Sequence, residues 1–193
     1  MLNNQDKNYL QPKEYFKQFS LLWKQHEHRF FKFERQQYYN LESDDAYKLY
    51  QSNDIAGCKS KIEQQIGSQS EMYLMSVRKN TNIVRVRFVE FPISDYTKYE
   101  ILSYNVSARF CEKILIVPAT DTVTEIFQLN DFLLFDSSSL MILDYDDRGL
   151  FKGGWLFTGD DVVENYLAIA QSLIEKSLPL GVFQNSERNN LLF

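Results

Sequence analysis

From Ile83 to Phe91 the residues divide by alternate positions into two sets, Ile83, Arg85, Arg87 and Val89 on one side and Val84, Val86, Phe88 and Glu90 on the other. Successive side chains of a strand point to opposite faces, so this segment predicts a strand with one mostly apolar face and one carrying two guanidiniums. Shorter strands are predicted over Arg29–Glu34, with Phe31 and Phe33 sharing a face, and over 113–117, 132–136, 140–145 and 150–157. Asp146-Asp-Arg-Gly149 has hairpin-turn chemistry, and Gly153-Gly154 predicts a bulge or a close backbone approach.

Helical spacing governs other stretches. Tyr15, Phe16, Phe19, Leu22 and Trp23 recur behind Pro12, a residue tolerated in a first helical turn. Ser43 with Asp44 and Asp45 marks a second start, capped by serine with acids at the positive end of the helix dipole. A third run extends from Ile55 to about Arg78 and is weakened at Gly67-Ser-Gln-Ser. Ser94 predicts the cap of a helix carrying Tyr96, Tyr99, Leu102 and Val106, and Thr158-Gly-Asp-Asp that of a last long helix ending before Pro179. Strands cluster late and lack regular βαβ spacing. The expected fold class is α+β, a single domain over 1–185 with helices packed on a mainly antiparallel sheet. A helical layer spans about 12–79, a sheet-rich part about 82–157, and a C-terminal helix about 159–177. Residues 186–193 read as a flexible tail.

Composition narrows the function classes. In 193 residues, 44% apolar and 15% aromatic, with seven Gly and four Pro, a large core is affordable and disorder is not expected. No apolar run has signal-peptide or membrane-span character, and Cys58 and Cys111 carry no spacing that requires pairing, so a cytoplasmic protein with reduced thiols is expected. Net charge is −5 and uneven: residues 1–100 sum to +2 and residues 101–193 to −7. That balance is poor for direct nucleic-acid binding and no membrane association is expected; the acidic half reads as a solvated face.

Walker, Rossmann, nucleophile-elbow, His-Glu-x-x-His and Cys-x-x-Cys patterns are absent from the sequence, and no cofactor is expected. The densest polar constellation is Arg85, Arg87, Asp95, Tyr96, Tyr99 and Glu100. Two arginines at strand spacing can aim at one anion, or they can tie strand to helix through carboxylates, Arg87 pairing with Asp95 or Glu100. The ion-pair reading is preferred, because buried arginines need partners. Weaker metal candidates are His26 with His28, which share a face only if extended, and Asp136, Asp144 and Asp146, which are equally read as solvated strand ends. No base is visible for Ser137-Ser-Ser139.

Several stretches resemble an uncharacterised bacterial family, number six-eight-seven-nine of the domains of unknown function, abundant in actinomycetes. The carrying segments are Arg85-Val-Arg87 followed by Pro92 to Glu100, Asp131 to Asp136, and Tyr145 to Gly153 with Leu150 at a variable position. Phe31-Lys-Phe-Glu34 and Tyr38 are also similar to a family segment, whereas Ala108-Arg-Phe-Cys-Glu112 departs from the family's Ala-Gly-Glu loop. The resemblance implies genes beside helix-turn-helix regulators in toxin–antitoxin-like or developmental loci, and carries no catalytic residues. The expected function is therefore a non-catalytic regulatory or protein-interaction module with a protein partner. The competing readings are a small phosphodiester-acting enzyme or toxin using the Arg/Asp/Glu cluster, and an acidic nucleic-acid mimic.

Overall fold

The computed structural model describes residues 7–187. Among them, eight strands form one sheet: β1 (Lys7–Leu10), β2 (Arg29–Glu34), β3 (Asn82–Val89), β4 (Glu112–Pro118), β5 (Phe132–Phe135), β6 (Ser139–Tyr145), β7 (Phe151–Phe157) and β8 (Leu178–Pro179). The helices are α1 (Pro12–Gln25), α2 (Asp45–Gln51), α3 (Ile55–Ser68), α4 (Ser70–Lys79), α5 (Asp95–Ser107), α6 (Asp160–Glu175) and α7 (Leu180–Ser186). Strand order is β1-β7-β6-β5-β2-β3-β4-β8. Five of the seven pairings are antiparallel, while β2, β3 and β4 run parallel at the centre. The fold is α+β with a mostly antiparallel open sheet, as the sequence indicates.

The parallel trio exists because its connections are helical: α2, α3 and α4 bridge β2 to β3, and α5 bridges β3 to β4. Helices cover both faces. On one, Phe31, Phe33, Val84, Val86, Phe88, Phe132 and Leu134 meet Val163, Ala170 and Leu173 of α6. On the other, α1 packs Tyr15 and Trp23 against Phe30, Phe135 and Met141, and α5 lays Ile101 and Tyr104 against Ile114 and Ile116. The opposite side of α5 buries Tyr96, Tyr99, Leu102 and Val106 against Cys58, Ile62 and Ile66 of α3. Enclosed on two sides, α5 is buried well beyond one stripe, so a one-sided 3.6-residue pattern describes only part of it.

Local chemistry sets the element ends. Ser94 Oγ accepts from the Thr97 N–H at 3.1 Å, capping α5 as expected. At α2 the cap is Asp44 rather than Ser43, accepting from the N–H groups of Ala46 (2.8 Å) and Tyr47 (3.3 Å). Gly159 occupies the cap position of α6 without a side-chain bond, so Thr158 does not cap it. The weak Gly67-Ser-Gln-Ser stretch is where α3 ends and α4 begins. In the β6–β7 hairpin, Asp146 Oδ1 accepts from Arg148 and Leu150 N–H, both at 2.9 Å, while Gly149 takes a φ of 72°. Gly153, at a φ of 130°, lets β1 approach: a Cβ there would collide with the Leu10 carbonyl. The expected tail begins inside α7, which runs through Ser186, and residues 188–193 lie outside the described residues, as do 1–6.

Candidate functional site

The alternation of β3 places Arg85 and Arg87 on the face toward α4 and α5, opposite the face of Val84, Val86 and Phe88. Register brings Lys32 beside Arg85 and Glu34 beside Arg87 on β2, and Glu112 of β4 beside Ile83, one diagonal step from Arg85. Arg85 uses that diagonal. Its Nε donates to Glu112 Oε1 at 2.8 Å and its Nη1 to both Glu34 oxygens, at 3.1 and 3.2 Å. Lys32 Nζ closes on Glu34 Oε1 at 2.6 Å. From α5, the Tyr104 hydroxyl lies 2.8 Å from Glu34 Oε2 and 3.0 Å from Glu100 Oε2. Its ring sits 5.2 Å from the Arg85 guanidinium carbon.

A hydroxyl has one proton, so it cannot donate to both carboxylates. Burial pushes the Glu34 carboxyl up, but Arg85, Lys32 and Arg87 outweigh it and hold the group well below the usual carboxylate range. Glu100 moves the other way, raised by burial and then by the charge of Glu34. The depressed Glu34 carboxylate is the stronger acceptor for the single Tyr104 proton, and Glu100 is the member of the pair whose charge the site disfavours.

Arg87 is fully buried, yet its Nε, Nη1 and Nη2 have no hydrogen-bond partner among the described residues. Its guanidinium carbon lies 5.8 Å from the Tyr39 ring centroid. Tyr39 donates to Asp131 Oδ2, and Asp131 Oδ1 takes the Arg35 N–H at 2.8 Å. Burial raises Asp131, and the Tyr39 and Arg35 bonds only partly offset it.

The sequence constellation is thus brought only partly together. Arg85 and Glu100 join through Tyr104 and Glu34. Asp95 does not pair with Arg87: it is exposed at the start of α5, bound to Lys98 at 3.1 Å. Tyr99 turns to the α2 cap, donating to Asp44 Oδ2 at 3.0 Å, and Tyr96 packs among Tyr38, Tyr39 and Tyr47. The helical positions 95, 96 and 99 simply face other neighbours than the strand. Glu34, Glu112, Lys32 and Tyr104 carry the cluster instead. The available signal was Lys32 and Glu34 interleaved with Phe31 and Phe33, which puts two charges on one face of an aromatic strand.

The metal candidates are likewise dispersed, and among the described residues no group of three His, Cys, Asp or Glu comes within ligating reach. His26 is buried against Trp23 and His28 is exposed, so the two do not share a face. Burial lowers the His26 pKa. Asp136 accepts the N–H groups of Glu27, His28 and Arg29 at 2.8–2.9 Å, which lowers its pKa against a desolvation that would raise it. Asp144 receives the Tyr9 hydroxyl at 2.9 Å, and Asp146 is committed to its turn. Cys58 is buried and Cys111 exposed, both free. No helix among the described residues is long and apolar enough to cross a membrane.

The archaeal chromatin protein TrmBL2, described with a novel mode of DNA binding, is similar to this chain at 8% identity and a TM-score of 0.46, over 93% of this chain and 56% of that one. The chain therefore spans little more than half of that protein's length, and a likeness at this level carries no argument here. No protein of curated function matches the sequence. The Arg85-Val-Arg87 strand, the capped helix behind it and the Asp146–Gly149 hairpin lie within residues 17–185, which match the family described as Domain of unknown function (DUF6879), and the chain belongs to that family.

Proposed function

We propose that this chain is a non-catalytic, cytoplasmic regulatory module that acts by binding a protein partner, a helix-turn-helix regulator of a toxin–antitoxin-like locus being the expected one. The observation that carries this reading is the closure of the Arg85 cluster upon itself. Arg85 is engaged by Glu34 and Glu112, and Arg87 is wholly buried, so neither guanidinium is free to clamp a phosphodiester from solvent. Histidine supplies no base from the cluster's own strand positions, since His26 is buried against Trp23 and the exposed His28 precedes β2, its backbone bound to Asp136 and Asn82. The cluster instead joins β2, β3, β4 and α5 into one rigid body, the property expected of a binding scaffold. Leu74 and Val77, three apart on α4, are 46% and 53% exposed and offer apolar surface to a partner.

Co-purification with the regulator encoded beside the gene tests the reading, and loss of capture in Leu74→Glu/Val77→Glu is the expected control. Metal-stimulated cleavage of DNA or RNA that disappears in Glu100→Gln would replace it with the phosphodiester-acting alternative.

A further inference from the structure

Helices α1 and α4 leave between them a groove of about 450 Å³ above β2 and its neighbours. Their C-terminal ends are tied together: Lys79 Nζ of α4 donates to the carbonyls of Lys24 at 2.6 Å and His26 at 2.8 Å. The walls are apolar and reach solvent. Phe16 on α1 is 59% exposed, and Phe19, Met72 and Tyr73 are half-buried. Phe16 touches Phe151 and Tyr15 at centroid distances of 5.3 and 6.1 Å, yet most of its ring stays in water. Single exposed apolar residues are ordinary, but a large exposed ring on the rim of an apolar groove marks an interaction surface. Met72 adds an unbranched side chain that adapts to the shape of a guest.

Charge selects the occupant. The floor is neutral, because Lys32 and Arg85 are balanced by Glu34 and Glu112. The rim is basic. At about 100° of rotation per residue, Lys13, Lys17 and Lys24 fall within about 100° of Phe16 around α1, whereas Glu14, the acid of that helix, falls about 160° away. All three lysines are exposed. On α4, Glu71 and Arg78 offset each other at 3.6 Å, which leaves Lys79 as the unbalanced charge. Apolar walls between cations complement an apolar stripe flanked by carboxylates. A strand cannot be added at the floor, since β2 is already paired with β3 and β5 on its two sides. A helix brings its backbone hydrogen bonds with it, and the 14 residues of α1 give a wall of about 20 Å to lie along. We infer that the groove between α1 and α4 docks an acidic amphipathic helix of a protein partner, its apolar stripe against Phe16, Phe19 and Met72 and its carboxylates beside Lys13, Lys17 and Lys24. This surface is separate from Leu74 and Val77, which lie about 140–160° around α4 from Met72, and it does not require the proposed regulator.

The probes are two fluorescein-labelled peptides of about 16 residues, long enough to form a helix on binding. Both carry leucine and phenylalanine at helical spacing; the remaining positions are glutamate and glutamine in one, lysine and glutamine in the other. Fluorescence anisotropy against the full chain is expected to show saturable binding of the glutamate peptide that weakens as salt rises, and binding of the lysine peptide about tenfold weaker or less. Phe16→Asp is expected to lower affinity for the glutamate peptide about tenfold while leaving the melting temperature nearly unchanged, because the ring is mostly exposed. Val182→Asp, at an apolar residue of α7 that is also exposed, is expected to change nothing and controls for general stickiness. Lys13→Glu/Lys17→Glu is expected to reverse the preference in favour of the lysine peptide. Absence of saturable binding by the glutamate peptide, equal affinity for both peptides, or equal losses in Phe16→Asp and Val182→Asp would overturn the assignment. Concentration-dependent dimerisation abolished by Phe16→Asp would overturn it as well, by giving the groove to a second copy of this chain. Failure to co-purify the regulator while the glutamate peptide still binds would remove the proposed function and leave this groove standing.

Discussion

The two faces of the central strands are built from one sequence alternation and held by opposite physics. Toward α6, Phe33, Val86, Phe88 and Phe132 are fully buried and owe their stability to apolar area and close packing. Toward α4 and α5, the same strands bury Glu34, Arg87 and most of Arg85, where stability depends on each charge finding its opposite. The apolar face tolerates exchange among hydrophobic residues of similar volume, because its interaction has no direction. The polar face tolerates none at Arg85, whose guanidinium satisfies two carboxylates at once.

Truncation on the apolar face should have the largest effect. Phe33→Ala is expected to cost about 3–5 kcal/mol in denaturant unfolding, through lost transfer energy and a residual cavity, with little dependence on pH. Arg85→Met should cost about 3 kcal/mol at neutral pH, since Glu34 and Glu112 are then left buried without their main partner. Unlike the first loss, this one should shrink in acid. The folded-state value of Glu34 is depressed, so its contribution is present above the unfolded carboxyl pKa of roughly 4.3 and is lost as pH falls through the folded value. Equal pH dependence in the two variants would break the contrast between the faces.

Arg87→Met sharpens it further. The guanidinium makes no hydrogen bond to any described residue, so removing it relieves an uncompensated desolvation while forfeiting attraction to Glu34. The expected net loss is about 1 kcal/mol, well below that of Arg85→Met. A loss equal to that of Arg85→Met would show that the two arginines are equivalent after all. The smallest effect belongs to Glu100→Gln. Because the folded pKa of Glu100 is raised, the wild-type protein pays an increasing cost as pH climbs from the unfolded carboxyl value toward the folded one. Glutamine keeps a donor for Tyr104 and abolishes that slope, so the variant should gain on wild type as pH rises, by less than about 1 kcal/mol. Melting temperatures across a pH series measure it.

Much of the framework was legible because its signals are local. The alternation of Ile83 to Glu90, the Asp146–Gly149 turn and the Ser94 cap each act through residues adjacent in sequence. Strands β1 and β8 were not legible because a four-residue segment that buries Leu10 and a two-residue pair at Leu178–Pro179 carry no periodicity of their own. They are strands only because β7 and β4 present edges to them.

The sequence alone determined that Arg85 and Arg87 share a strand face, since a period of two allows nothing else. It could not determine their partners. Asp95 is eight residues from Arg87 and yet points to solvent, whereas Glu34 and Glu112 reach Arg85 from 51 and 27 residues away. Parallel pairing of β2, β3 and β4 decides that, by fixing the register at which Lys32 meets Arg85 and Glu112 meets Ile83. Charges attract along the shortest path through space, and only the assembled sheet sets which path that is.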